Sequence, residues 1–109
     1  MMAGPRLNRF LTLEDPARIA DGAGGFSESW VALGTLWGEI TPRGGSEAQD
    51  GSRVRYKIVL RAARPGDPSR PKPSQRLREL DRLFHIEAVT EAPDMPGHLL
   101  CFAYEETAA

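Results

Sequence analysis

The cleanest alternation of apolar and polar positions in the chain runs from Arg53 to Arg61. Val54, Tyr56, Ile58 and Leu60 form one face, and Arg53, Arg55, Lys57 and Arg61 the other. This period of two marks a strand with one buried side. Upstream, Phe26 to Ile40 (FSESWVALGTLWGEI) reads as a much longer strand, fed by a small-residue turn at Gly22-Ala23-Gly24-Gly25. Most strands in globular domains run only ~5–6 residues. One of this length serves two sheets, bends round a barrel, or projects past its domain toward a neighbour. Strict alternation puts Phe26, Trp30, Ala32, Leu36 and Ile40 on one face and Val31, Leu33 and Trp37 on the other. The two tryptophans then point to opposite sides unless a bulge intervenes, for which Gly34 or Gly38 is the natural place.

The flanking segments follow the same logic. Leu7 to Leu13 reads as a first strand. Asp15-Pro16-Ala17-Arg18 carries an N-cap residue followed by proline, which predicts a helical turn soon ended by Gly22, Gly24 and Gly25. Pro42 to Ser52 is a polar loop, and Arg64 to Ser74, with Pro65, Pro68, Pro71 and Pro73, is an irregular connection. Gln75 to Thr90 supports two readings. Leu77, Leu80 and Phe84 at helical spacing, together with good helix formers, favour a helix to Leu83 and a strand after it. The competing reading is a hairpin turning at Leu80-Asp81, with Phe84, Ile86 and Ala88 on one face. A turn over Glu91 to Gly97 precedes the last strand, His98 to Glu105, with Leu100, Phe102 and Tyr104 on one side. The sum is a mainly β protein, a small antiparallel β-barrel or sandwich with long loops and at most one short helix. Its 109 residues make a single domain, with flexible ends expected at 1–5 and 107–109.

Charge changes the picture more than composition does. The net charge of −1 conceals a basic run from Arg53 to Arg78, nine Lys/Arg (Arg53, Arg55, Lys57, Arg61, Arg64, Arg70, Lys72, Arg76, Arg78) against Asp67. From Leu83 onward come five acids (Glu87, Glu91, Asp94, Glu105, Glu106) and no Lys or Arg. Separate basic and acidic surfaces suit a subunit that repeats head to side, or one that meets a polyanion on one side. The four cations on the Arg53–Arg61 face repeat at ~6.6–7 Å, near the phosphate spacing of nucleic acid. No aromatic residue interleaves within that strand face, which favours backbone attraction to duplex DNA over base stacking. The equal alternative is a solvated face.

Catalytic chemistry finds little support. His85, His98 and Cys101 lack metal-ligand spacing, and Cys101, in the run Leu99-Leu100-Cys101-Phe102, reads as a buried thiol. The Gly22–Gly25 stretch lacks the Lys-Ser/Thr of a phosphate loop. The reading is no enzyme, no cofactor and no metal. The N-terminal residues lack the apolar run of a signal peptide and no segment is long enough for a membrane span, so cytoplasmic synthesis is expected.

The order of parts resembles a known family. Gly25-Phe26-x-Glu28-x-Trp30, then Trp37-Gly38-Glu39-Ile40, a polar loop with Gly44-Gly45-Ser46-Glu47, the alternating strand, Phe84-x-Ile86-x-x-Val89 and a final Glu105-Glu106 are similar to the phage head–tail joining, or head-completion, proteins of long-tailed phages, prophages and gene transfer agents. The resemblance spans roughly Leu7 to Glu106. The chain departs from it between Arg64 and Leu80, where it is longer and proline-rich. The resemblance implies a homo-oligomeric ring, a hexamer, with the portal and its adaptor ring on the head side. The tail terminator or tail tube lies on the tail side. Such a ring seals the DNA-filled head, docks the tail and lets double-stranded DNA pass. It also implies a channel-side gating loop at Arg43, Gly44, Gly45, Glu47 and Asp50, and a basic lumen or inter-subunit face at Arg53, Arg55, Lys57 and Arg61. Core and ring packing fall to Trp30, Trp37, Tyr56, Phe84, Ile86 and Phe102. The product is then incorporated at the head–tail interface of the particle. An independent OB-like nucleic-acid-binding module and a tail-side ring protein such as a tail terminator are the alternatives.

Overall fold

The computed structural model describes residues 4–43 and 53–106. Within them lie six strands and no helix: β1 (Arg9–Ala20), β2 (Phe26–Pro42), β3 (Arg53–Arg61), β4 (Arg76–Glu79), β5 (Arg82–Glu91) and β6 (His98–Glu106). The order β1-β2-β3-β6-β5-β4 is antiparallel throughout, and β4 returns to β1 to close a barrel. The interior holds Leu11, Leu13, Ile58, Leu60, Leu77, Phe84, Ile86, Cys101 and Ala103, with Leu36, Ile40, Tyr56 and Val89 packed against them.

The alternation in β3 does what its pattern requires: Tyr56, Ile58 and Leu60 point inward. Two bulges interrupt the alternation elsewhere. On β2 the register passes from Leu13↔Gly34 to Glu14↔Ala32, leaving Leu33 as the extra residue. Trp37 pairs with Phe10 and Trp30 with Pro16, six apart on β1, so both tryptophans lie on the outer surface. On β5 the register passes from Ile86↔Ala103 to Ala88↔Phe102. Glu87 is the extra residue, and Val89 rather than Ala88 turns to the core. In β6 the inward side is Leu99, Cys101 and Ala103, each fully buried. The side with Leu100, Phe102 and Tyr104 faces out, the reverse of what the bulk of those residues suggests for a core face.

Two local expectations give way. Asp15-Pro16-Ala17-Arg18 is not a helical turn but the continuation of β1. Past Glu14 that strand has no second neighbour, and proline is tolerated where one edge is open. The 75–83 helix does not form. Leu77 pairs with Phe84 and Glu79 with Arg82, so the hairpin reading holds, with Leu80-Asp81 as the turn. Leu80 adopts φ 56°, unusual for a bulky residue.

β1 and β2 run together well past the barrel. β4 pairs β1 only at Thr12–Glu14, and β3 pairs β2 only at Gly38–Pro42. The rest of the hairpin, about Asp15–Ala20 and Phe26–Leu33, is a two-stranded arm, and the molecule measures 60 × 35 × 22 Å. The arm tip is organised by Asp21, whose carboxylate accepts the N–H groups of Ala23 (2.8 Å) and Gly25 (3.0 Å). Gly22 and Gly24 supply the positive φ values of 80° and 87° that the turn needs. The arm, the 62–74 connection and the 92–97 turn share one end of the barrel. Arg43, the Leu80-Asp81 turn and the last residues of β6 share the other.

Candidate assembly interface

The arm exposes what a barrel strand hides. By register, one of its faces carries Pro16, Arg18, Ala20, Phe26, Glu28 and Trp30, with the Arg18 guanidinium 4.5 Å over the Phe26 ring. The other carries Asp15, Ala17, Ile19, Ser27, Ser29 and Val31, with Leu33 at its foot; its one charged residue, Asp15, sits at the barrel end. Ile19 is 52% exposed, Phe26 61% and Val31 50%. An isolated two-stranded ribbon is marginal in water, and exposed apolar surface of this kind marks an interaction site. At the arm's foot the buried Gln75 donates from Nε2 to Asp15 (2.9 Å) and accepts the Lys72 N–H at Oε1 (2.9 Å), tying the proline-rich connection to the barrel.

The outer face of β3, β6 and β5 brings the predicted basic residues together with partners the sequence had kept apart. Antiparallel pairing sets Arg53 opposite Glu106 and Arg55 opposite Tyr104. Arg55 also meets Glu87 at 3.6 Å. The basic and acidic runs are therefore adjacent strands rather than separate surfaces. Aromatic residues do interleave on this face, supplied by β6 and, at its edge, by Trp30 of β2, and not by β3. Arg53 stands 4.0 Å over Tyr104, Arg43 4.7 Å over Phe102, and Arg76 4.0 Å over Trp30. His85 stacks on Tyr104 at 5.1 Å. Burial, outweighing the pull of Glu106, holds His85 below its ordinary value, so it is neutral at neutral pH. Lys57 and Arg61 are exposed.

Of the expected gating loop, Arg43 alone falls within the described residues; its N–H donates to the Arg55 carbonyl at 2.9 Å. Gly44, Gly45, Glu47 and Asp50 lie outside them. Of the expected packing residues, Tyr56, Phe84 and Ile86 line the interior, whereas Trp30, Trp37 and Phe102 stand on the outer surface.

A charged plug that sequence reasoning missed closes the interior at the Arg43 end. Arg82 donates to both oxygens of Glu105 (2.8 and 2.9 Å), Tyr56 donates its hydroxyl to Glu105 (3.1 Å), and Arg9 donates to Glu79 (2.7 Å). The hydrogen bonds to Glu105 hold the Arg82 guanidinium firmly charged, and the hydrogen bond from Arg82 holds Glu105 below its ordinary value. The available signal was their inward parity with Leu11, Leu77, Phe84 and Ala103 on the same strands. Cys101, fully buried, has its thiol pushed up to about 12 by burial. Among the described residues no group of three or more His, Cys, Asp or Glu is placed to hold a metal ion, and no helix is long and apolar enough to cross a membrane.

The profile of the phage head completion protein family matches residues 2–107. The chain belongs to that family. Among solved structures, this head completion protein is similar to a chain described as "Virion of native gene transfer agent (GTA) particle". The likeness has 48% identity and a TM-score of 0.78, over 96% of this chain and 99% of that one. No curated relative matches. Head completion is a structural role and not an enzyme class. The Trp37-Gly38-Glu39-Ile40 stretch is the segment where β2 leaves the arm and joins the barrel.

Proposed function

We propose that this chain is a head–tail connector, a stopper subunit. In this reading six copies form a ring between the portal–adaptor assembly and the tail, seal the DNA-filled head, dock the tail terminator or tail tube, and gate DNA exit. The observation that carries the reading is the 48% identity, end to end, with a chain of a gene transfer agent virion. The protruding arm supports it, because a ribbon with apolar residues on both faces gains most of its burial from neighbours. The Arg43 end would face the channel, carrying the 44–52 segment as the gate and Arg53, Arg55 and Lys57 beside it. DNA would be held there through its backbone, without sequence preference. The chain would be made in the cytoplasm and end in the particle.

The test is deletion in the producing cell. The expected particles are DNA-filled or leaking heads without tails, restored by the gene in trans; tailed, infectious particles made without the chain would overturn the reading. The aromatic–cation band favours a second reading, direct contact of that face with unstacked bases. Tryptophan-fluorescence titration of the isolated chain with single-stranded DNA separates the two, since the connector reading expects no tight, salt-sensitive monomer binding.

A further inference from the structure

A second apolar surface sits on the same strand as the arm. Phe10 (50% exposed) and Trp37 (53%) pack together at 5.0 Å on the outside of the barrel. Beside Trp37 opens a cleft of about 320 Å³, walled by Leu36, Ala62 and Ala63 with Arg61 at its rim. Half-exposed aromatic rings of this size leave roughly 200 Å² of apolar surface in water between them. The cleft is concave and the arm convex. The arm face of Ala17, Ile19 and Val31 carries one acid, Asp15, at its foot where Gln75 holds it, Asp21 stands at its tip, and the cleft's charged rim residue is Arg61. The two surfaces therefore match in shape, polarity and sign.

They cannot meet within one chain. Val31 and Trp37 lie on one continuous strand, six residues apart, which is about 20 Å at ~3.3 Å per residue. The matching occupant is a second copy, and two different patches that fit each other make a head-to-tail contact, the kind that closes into rings.

We infer that the β1–β2 arm of each copy seats its Ile19/Val31 face in the Trp37–Ala62 cleft of the next copy. This rests on the ring reading above and adds the contact that builds it.

The test is a cysteine pair, Val31→Cys with Ala62→Cys, in particles purified from producing cells. Cys101 is buried and silent to mild oxidation. The expected result is a 31–62 disulfide, identified by mass spectrometry, with a ladder extending beyond dimers; neither single variant gives it. Rings present at the joint without that link overturn the arm-in-cleft contact and leave the ring reading standing. A ladder that stops at dimers overturns the head-to-tail geometry. Particles with no ring of this chain overturn both. A second variant, Ile19→Lys, should leave the melting temperature of the isolated chain unchanged, because Ile19 pairs with Ser27 on the exposed arm outside the core, while the added cation opposes Arg61 and tailed-particle yield falls at least tenfold. Wild-type yield from Ile19→Lys overturns the contact.

Discussion

Replacing Glu14 with glutamine tests what closes the barrel. The seam between β1 and β4 is three residue pairs long, Thr12↔Arg78, Leu13↔Leu77 and Glu14↔Arg76. Glu14 is 6% exposed and faces out, beneath two arginines: Arg76 donates to it at 2.6 Å and Arg78 at 2.8 Å. Arg76 is itself well covered; Arg78 is 40% exposed, and water screens its share. One charged hydrogen bond is worth about 1.5–3 kcal/mol and a screened partner about 0.5 kcal/mol. Glu14→Gln should therefore cost roughly 2–3 kcal/mol, which lowers the melting temperature by roughly 10 °C or more and the urea midpoint by about 1–2 M. The pH dependence fixes the cause. Burial pushes the Glu14 carboxyl up, but hydrogen bonds from Arg78 and Arg76 and their charges outweigh it, so the folded value lies below the ordinary 4.5. A depressed carboxylate stabilises fully above its unfolded value and loses that contribution as pH falls through the folded one. The gap between wild type and variant should be full at neutral pH and close below 4.5, toward the depressed folded value. Urea titrations by circular dichroism across that range provide the measurement. A midpoint within about 0.3 M of wild type at neutral pH, under the usual slopes, would refute the idea that Glu14 holds the seam.

Leu80→Gly should raise stability by about 1 kcal/mol, since the turn imposes φ 56° on a leucine that is 86% exposed; a fall in melting temperature would show the side chain matters to the fold. Gly38→Ala should cost about 1–3 kcal/mol, because the new Cβ would lie 2.9 Å from Leu11 Cδ1 and from Leu60 Cδ2 and 3.3 Å from the Val59 carbonyl; differential scanning calorimetry reads it, and an unchanged trace counts against the close packing of β2 on the core. Reversing Arg53, Arg55 and Lys57 to glutamate should reduce DNA retention or ring assembly, scored by packaged DNA per particle. If retention, ejection and assembly are all unchanged, those cations serve only as a solvated face.

Much of the fold was legible because strand faces follow a period of two. The β3 alternation marked the core side without ambiguity, and the spacing Phe84-x-Ile86-x-x-Val89 already contains the β5 bulge: a step of two and then of three keeps all three residues inward. What stayed hidden was set by pairing rather than by local pattern. Asp15-Pro16 looks like a helix start, yet β2 offers it a ladder. Leu77 and Phe84 sit at helical spacing, yet they pair across a two-residue turn. In β6 the bulky side of Leu100, Phe102 and Tyr104 faces out, since the narrow interior takes Cys101 and Ala103. The aromatic–cation band and the plug around Glu105 join residues from four or more strands, so no window along the chain displays either. The arm was half visible: the length of β2 pointed to a projection, but β1 had to be extended past Pro16 before it became a ribbon.

The head–tail joint itself decides the central claim. A symmetric cryo-electron microscopy reconstruction of that joint in the native particle should show this chain as a closed ring between portal–adaptor and tail, the Arg43 end toward the axis and each arm lying across its neighbour. Density for the chain anywhere else in the particle, or a joint built without it, would contradict the account.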